Sequence, residues 1–228
     1  MIDFMRQKDL VNMDKLSQIG VTVIGAGAVG SFSALTITKM GVNRIEVYDE
    51  DGVSEHNLPN QFYREQDIRQ FKVTALESVL RDFCGVNIEP RTAFYTDQKL
   101  SDVVIVATDS MSSRKQVWEE FKKQEQCKYY IEARMGGEFG MVYTIQKDPP
   151  IKEFGLSNED IKFYEERLYP DSKVQPLPCT ARTIIYNVLV IAAMIARALK
   201  SIVNDEKFPR EMVFNVRDIN RFSFMVRE

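Results

Sequence analysis

Apolar and polar positions in this chain switch repeatedly between a period of two and a period of 3.6. Short apolar runs at Val21–Ile24, Arg44–Tyr48, Asn87–Thr92, Asp102–Ala107 and Tyr129–Ala133 read as strands. Between them the spacing predicts helices. Residues 3–18 form one or two short ones. Ser31–Met40 presents Phe32, Leu35 and Met40 on one face and is stopped by Gly41. Ile68–Phe83 turns Val73, Leu76, Val79, Leu80 and Phe83 inward, and Ser112–Gln124 is a fourth helix. Strand and helix alternating in this way imply an α/β, Rossmann-like, doubly wound and mainly parallel sheet.

After Phe139 the pattern changes. GMVYTIQK reads as an antiparallel strand, and the stretch that follows holds five of the eight prolines around a polar helical piece, Ser157–Arg167. The helix Ala181–Ile202 places Ile184, Val188, Ile191, Ile195, Leu199 and Ile202 on its core face, and MVFNV and RFSFMV close the chain as strands. The C-terminal extension is therefore expected to be antiparallel. We read residues 1–228 as one domain: an N-terminal helical arm at 1–18, a nucleotide-binding core at 19–146, a mobile crossover at 147–178, and a C-terminal helix with strands at 179–228.

Composition excludes several classes. A net charge of −3 without a long basic run disfavours nucleic acid as a partner. The most apolar stretch lies between Arg182 and Arg197 and includes Tyr186 and Asn187, too short a run to span a bilayer. No signal-peptide core opens the chain, so the expected location is the cytoplasm. Cys84, Cys127 and Cys179 are far apart and His56 is the sole histidine, so no thiol- or histidine-based metal site is indicated. Any metal would be a hard cation held by carboxylates and phosphates.

GAGAVG at residues 25–30 supplies the first chemistry. It follows a strand and opens a helix, the context in which Gly25, Gly27 and Gly30 bring backbone N–H groups and a helix N-terminus onto a phosphate. Asp49, ending the second strand, suits a ribose hydroxyl. The alternative is a tight turn without a ligand.

The residues that follow separate nicotinamide from ATP. The chain has Arg6-Gln7 before the first strand and Asp49-x-Asp51-x-Val53 and Asn57-Leu58-x-x-Gln61 after the second. Lys72 opens a helix, and Thr108-Asp109-Ser110 with Arg114, Arg134-Met135-x-Gly137 and Cys179-Thr180 come later. In this order the chain resembles the adenylyltransferases that activate ubiquitin-like proteins, the ubiquitin-activating enzymes and their molybdopterin- and thiamine-biosynthesis relatives. The resemblance covers nearly the whole chain. It implies ATP with Mg²⁺: Asp49 on the ribose, Asp51, Asn57 and Gln61 lining the site, Lys72 on the phosphates and Asp109 on the magnesium. It also implies a homodimer in which Arg6 reaches the partner protomer's nucleotide. The partner would be a small ubiquitin-like or sulfur-carrier protein ending in glycine, with a conjugating enzyme as a further candidate. Each role has an alternative: Lys72 as a solvated lysine, Asp109 as a helix cap, Arg6 as a surface arginine. Arg114 and Arg134 are assigned to packing or partner contacts.

PLPCTAR places Cys179 before a long helix, where the thiolate is favoured. It resembles the stretch carrying the thioester cysteine of ubiquitin-activating enzymes, against a reading as a small buried residue. Cys84 and Cys127 read as structural, and His56 as shaping its loop. Two departures stand out. Asn60 occupies the place of a family arginine that touches the triphosphate, with Arg64 or Arg69 as substitutes, and the zinc cysteines of many relatives are missing, implying no zinc. The rival functions are adenylation of another carboxylate without a thioester (a sulfur carrier, a peptide terminus or a tRNA-borne group), a non-catalytic heterodimer partner, and a nicotinamide dehydrogenase.

Overall fold

A computed structural model describes residues 2–147, 156–173, 183–217 and 224–227. Its centre is an eight-stranded sheet in the order β3-β2-β1-β4-β5-β6-β7-β8. The strands are β1 (Gly20–Ile24), β2 (Arg44–Tyr48), β3 (Glu89–Arg91), β4 (Val103–Val106), β5 (Tyr129–Gly136), β6 (Phe139–Gln146), β7 (Glu211–Asn215) and β8 (Phe224–Arg227). The first five run parallel, and β6, β7 and β8 join antiparallel. The fold is thus the α/β, mainly parallel sheet with an antiparallel C-terminal extension that the hydrophobic pattern implies.

β1 and β4 are buried at every position, as parallel strands covered on both faces must be. One face carries α1 (Met13–Gln18), α2 (Ala28–Met40), α3 (Lys72–Cys84) and α6 (Ile185–Val203), whose Leu16, Ile37, Leu76 and Ile195 join one core. The other carries α4 (Met111–Lys123) and α5 (Asn158–Glu165), with Trp118, Phe121, Tyr130 and Tyr164 in a second core. α3 ends where Gly85 turns left-handed (φ 63°) and its N–H bonds Arg81 O at 2.8 Å. The chain order reverses between β1 and β4, which opens a crevice at their carboxyl ends.

The structure refines the facing of α2 and corrects two other facing assignments. α2 begins at Ala28, and its buried face is Val29, Gly30, Ser31, Ser33, Ala34, Ile37 and Thr38, while Phe32, Leu35 and Met40 are half-buried. Small residues let α2 sit tightly in the core, and its larger ones cover a seam where Phe32 and Phe62 pack at 5.4 Å. Phe83 is exposed and meets Phe62 at 5.4 Å instead of entering the core. Ile184 is the exposed N-cap of α6, outside its core face. α6 is long and apolar enough to cross a membrane by length and composition, yet 61% of its apolar window is buried inside the protein. Within 147–178, the described part 156–173 is packed on the core, with Tyr164 fully buried.

Candidate active site

Each wall of the crevice follows from local backbone demands. Gly25 leaves β1 with φ 95°, a conformation L side chains rarely adopt, and a Cβ there would lie 2.7 Å from Ala107 O. A Cβ on Gly30 would lie 1.8 Å from Gly25 O, so α2 can close on the turn only at glycine. Gly27 differs, since a Cβ there would meet nothing within 4 Å. The protein itself requires Gly25 and Gly30, whereas Gly27 keeps open space over the start of α2. Gly27 is the N-cap of α2 and offers no side-chain cap, which leaves first-turn N–H groups free for an anion. Ala26 is clamped from both sides: its N–H donates to Asp49 Oδ2 (2.6 Å), and Tyr63 Oη donates to its carbonyl (2.5 Å).

Asp49 also accepts the Asp51 N–H at 2.9 Å, and its side chain is 10% exposed. Lys72 is delivered by an antiparallel bridge between Gly52 and Phe71 and by its own N–H, which donates to Asp51 O at 2.9 Å. Its ammonium lies 2.7 Å from Asp51 Oδ2 and 3.9 Å from Asp49 Oδ1. At 7% exposure, Lys72 is no solvated helix-start lysine. Burial pushes the Asp49 carboxyl above its usual range, against Lys72 and the Ala26 and Asp51 N–H groups. Glu50 is raised by burial and then by its acidic neighbours. One ammonium in a nest of three acids is poised to take up phosphate charge.

The opposite wall is the loop after β4. Helix α4 takes its cap from Ser110, whose Oγ accepts Ser113 N–H at 3.1 Å, and from distant Asp171, which accepts Met111 N–H at 2.6 Å and Ser112 N–H at 3.2 Å. Asp109 therefore does not cap. It is exposed in the cleft and makes no hydrogen bond or ion pair with another described residue. Arg114 donates through Nη2 to Thr108 O at 2.5 Å and lies 2.8 Å from Glu132.

Together these walls enclose a cleft of about 620 Å³, within the usual range for small-ligand sites. It is lined by Gly25, Gly27, Asp49, Asp51, Gln61, Lys72 and Asp109 among the expected residues. Gln61 Oε1 and Thr108 Oγ1 are buried and unpartnered beside it, the kind of orphan that a polar ligand satisfies. Phe94, 68% exposed, stands on its rim.

Other expected residues sit elsewhere. Gly30 packs against the turn without lining the cleft. Asn57 also lies outside it, because its Oδ1 closes a capping box with Ser54 N–H (2.9 Å) and Oγ (2.8 Å). Arg6 is exposed on a 3₁₀ turn, Met5–Gln7, away from this chain's own cleft. Neither proposed stand-in for the Asn60 arginine reaches the cleft: Arg64 is held by Asp67, Asp82 and Ser78, and Arg69 is outside the lining. Cys179 and Arg182 lie outside the described residues. Cys84 and Cys127 are buried, and burial pushes the Cys127 thiol up to about 12. Sequence reasoning missed Glu132, fully buried and pairing Arg114 and Arg134; the available signal was a lone acid inside the apolar run YYIEA.

Among the described residues no group of three or more His, Cys, Asp or Glu could hold a metal. A magnesium ion would depend on Asp109 together with phosphate oxygens, which suits a cation that keeps most of its shell from substrate and water.

Comparison with known proteins gives this geometry a lineage. Over 108 residues the chain is 34% identical to adenylyltransferase and sulfurtransferase MOCS3 of Anopheles gambiae, a match covering 44% of this chain and 24% of that protein. Over 83 residues it is 32% identical to ubiquitin-like modifier-activating enzyme 5 of Xenopus laevis, covering 36% and 20%. The matches thus span about a quarter or less of these relatives' length. E. coli MccB, crystallised with AMPCPP and MccA, superposes with a TM-score of 0.70 at 16% identity, over 95% of this chain and 65% of that one. PaaA does so with a TM-score of 0.73 at 18% identity, over 100% and 69%. At such identity these two speak for the fold. The ThiF family matches residues 2–227, so with its glycine turn, buried lysine and facing carboxylate this chain belongs to the ThiF family.

Proposed function

We propose that this chain adenylates a carboxylate with ATP. The observation that carries the reading is that Lys72 and the unpartnered Asp109 line one cleft, into which Gly27 and the start of α2 open. The first-turn N–H groups of α2 receive phosphate, and Asp49, with lone pairs remaining, takes a ribose hydroxyl. The Lys72 ammonium exchanges Asp51 for phosphate oxygen and neutralises charge growing on the α-phosphate and the leaving pyrophosphate. Gln61 and Thr108 offer their unpaired oxygens to the nucleotide's donors. Asp109 would hold Mg²⁺, whose chemistry is charge neutralisation on the leaving group. A partner carboxylate oxygen bonds to the α-phosphorus as the bond to the bridging oxygen breaks, releasing pyrophosphate. No general base is needed, because the attacking carboxylate is already ionised.

The partner we favour is a small ubiquitin-like or sulfur-carrier protein ending in glycine. The names of the relatives, an adenylyltransferase and sulfurtransferase and a ubiquitin-like modifier-activating enzyme, support that class. In this scheme the Cys179 thiolate then displaces AMP to form a thioester, and a homodimer in the cytoplasm brings Arg6 to the partner protomer's nucleotide.

Pyrophosphate–ATP exchange tests the central step. Exchange that appears only when a glycine-terminated partner is added supports it. No exchange, with reduced nicotinamide bound in preference to ATP, refutes it. A thiol-sensitive adduct lost in Cys179→Ala while exchange persists supports the thioester; exchange with no adduct in the wild type removes it.

A further inference from the structure

Nothing about the Asp109 carboxylate itself fixes where it points, since it has no partner among the described residues. β4 ends at Val106 and α4 begins at Met111, so the loop between them is held by its neighbours. Its carbonyl at Thr108 accepts a hydrogen bond from Arg114, and Arg114 Nε is ion-paired with Glu132 at 2.8 Å without hydrogen-bond geometry. Glu132 is fully buried, bound twice by Arg134 (2.7 and 2.9 Å), and accepts the Tyr164 hydroxyl at 2.5 Å. Tyr164 in turn lies 2.7 Å from the Tyr130 hydroxyl. Two guanidinium groups thus share one buried carboxylate. Arg114 spends one nitrogen on the loop that carries Asp109, so the position of that loop depends on where the buried carboxylate holds the guanidinium. Tyr164 belongs to α5, beyond the hairpin of β5 and β6, and Asp171 follows on the same segment. Asp171 seats on the first two N–H groups of α4, immediately after that loop. The chain has therefore fastened one segment to both ends of one loop.

We propose that segment 156–173 positions the cation-binding loop, Tyr164 through Glu132 and Arg114 on the Thr108 side, and Asp171 through the first turn of α4 on the other. Tyr164 and Asp171 are positioning residues: neither lines the cleft. The proposal rests on reading the cleft as a site for ATP with magnesium. Removal of either contact loosens Asp109 without touching the glycine turn or Lys72, so binding of the cation with the nucleotide weakens while the nucleotide alone binds as before.

The test uses Tyr164→Phe and Asp171→Ala in the full chain. In both variants the Mg²⁺ concentration for half-maximal pyrophosphate exchange is expected to rise by up to about tenfold, the low end of the effect of removing a group bonded directly to a metal ligand, because these residues act through the loop. By calorimetry, ATP affinity without Mg²⁺ stays within about twofold of wild type, while the enhancement given by Mg²⁺ shrinks. Variants that lose kcat or melting temperature with an unchanged Mg²⁺ requirement overturn the proposal and leave the network a packing device. Should Tyr164→Phe fail to fold, Asp171→Ala decides, because Asp171 is exposed. A wild type without exchange sinks the adenylation reading alone, since the calorimetric comparison still judges the positioning. A wild type whose ATP binding ignores Mg²⁺ overturns both.

Discussion

Three alanine substitutions in one hexapeptide separate what the protein needs from what a ligand needs. At Gly30 a new methyl carbon would stand 1.8 Å from Gly25 O, and real contacts stop near 3.0 Å, so α2 must retreat from the turn by about 1.2 Å. Overpacking of that kind costs about 1–3 kcal/mol. At this chain length each kcal/mol lowers the melting temperature by about 2–4 °C, so Gly30→Ala should melt about 2–12 °C lower. Gly25→Ala combines backbone contact at 2.7 Å with φ 95°, and such strain alone costs about 1–3 kcal/mol. At Gly27 the methyl meets no protein atom within 4 Å, and exchanging a glycine N-cap for alanine costs about 1 kcal/mol at most. Yet that methyl occupies the space where backbone would approach phosphate. ATP affinity should fall about tenfold or more, equivalent to about 1.4 kcal/mol. Thermal unfolding without ligand and ATP titration of the folded variants read the two effects separately. Gly27→Ala melting as low as Gly30→Ala, or binding ATP as tightly as wild type, refutes the reasoning.

Further outcomes follow from other parts of the site. Lys72→Met should lower the exchange rate by about 10²–10³-fold, the scale of losing one group aimed at developing charge, and a rate within a few-fold of wild type would remove the lysine from the chemistry. Glu132→Ala leaves Arg114 and Arg134 buried without their acid and should cost about 3–5 kcal/mol in urea unfolding. Tyr63→Phe leaves Ala26 O without its hydroxyl donor and should cost about 1–2 kcal/mol, with a few-fold loss of ATP affinity. The Asp171 carboxyl is held below its usual range, chiefly by the Met111 N–H. Its contribution to stability is therefore complete above the ordinary carboxylate value and lost as pH falls through the lower native one. Melting temperature measured down through the acid range should fall less steeply in Asp171→Asn than in wild type.

The elements and the nucleotide turn were legible because their signals are local. A run of buried residues, a glycine that must turn left-handed and an acid at a strand's end are each written within a few positions. So β1, the turn and Asp49 could be placed from the sequence, whereas hydrophobic spacing started α3 at Ile68 and only the family resemblance set Lys72 at its head. Partner choice is different. The sequence allowed Asp109 to cap α4, and only the packed chain shows Ser110 taking that place with help from Asp171, sixty positions away. The sequence likewise offered Asn57 to the cleft, whereas its oxygen is consumed by Ser54 three residues back. Arg64 could have replaced the missing arginine until the fold set it between Asp67 and Asp82. Phe32 and Leu35 obey helical spacing, but the closeness of α2 to its neighbours favoured the small-residue face. The sequence by itself determined which backbone shapes and charges exist. Tertiary structure decided which of them meet, because hydrogen bonds and ion pairs between distant residues depend on side-chain positions that only packing sets.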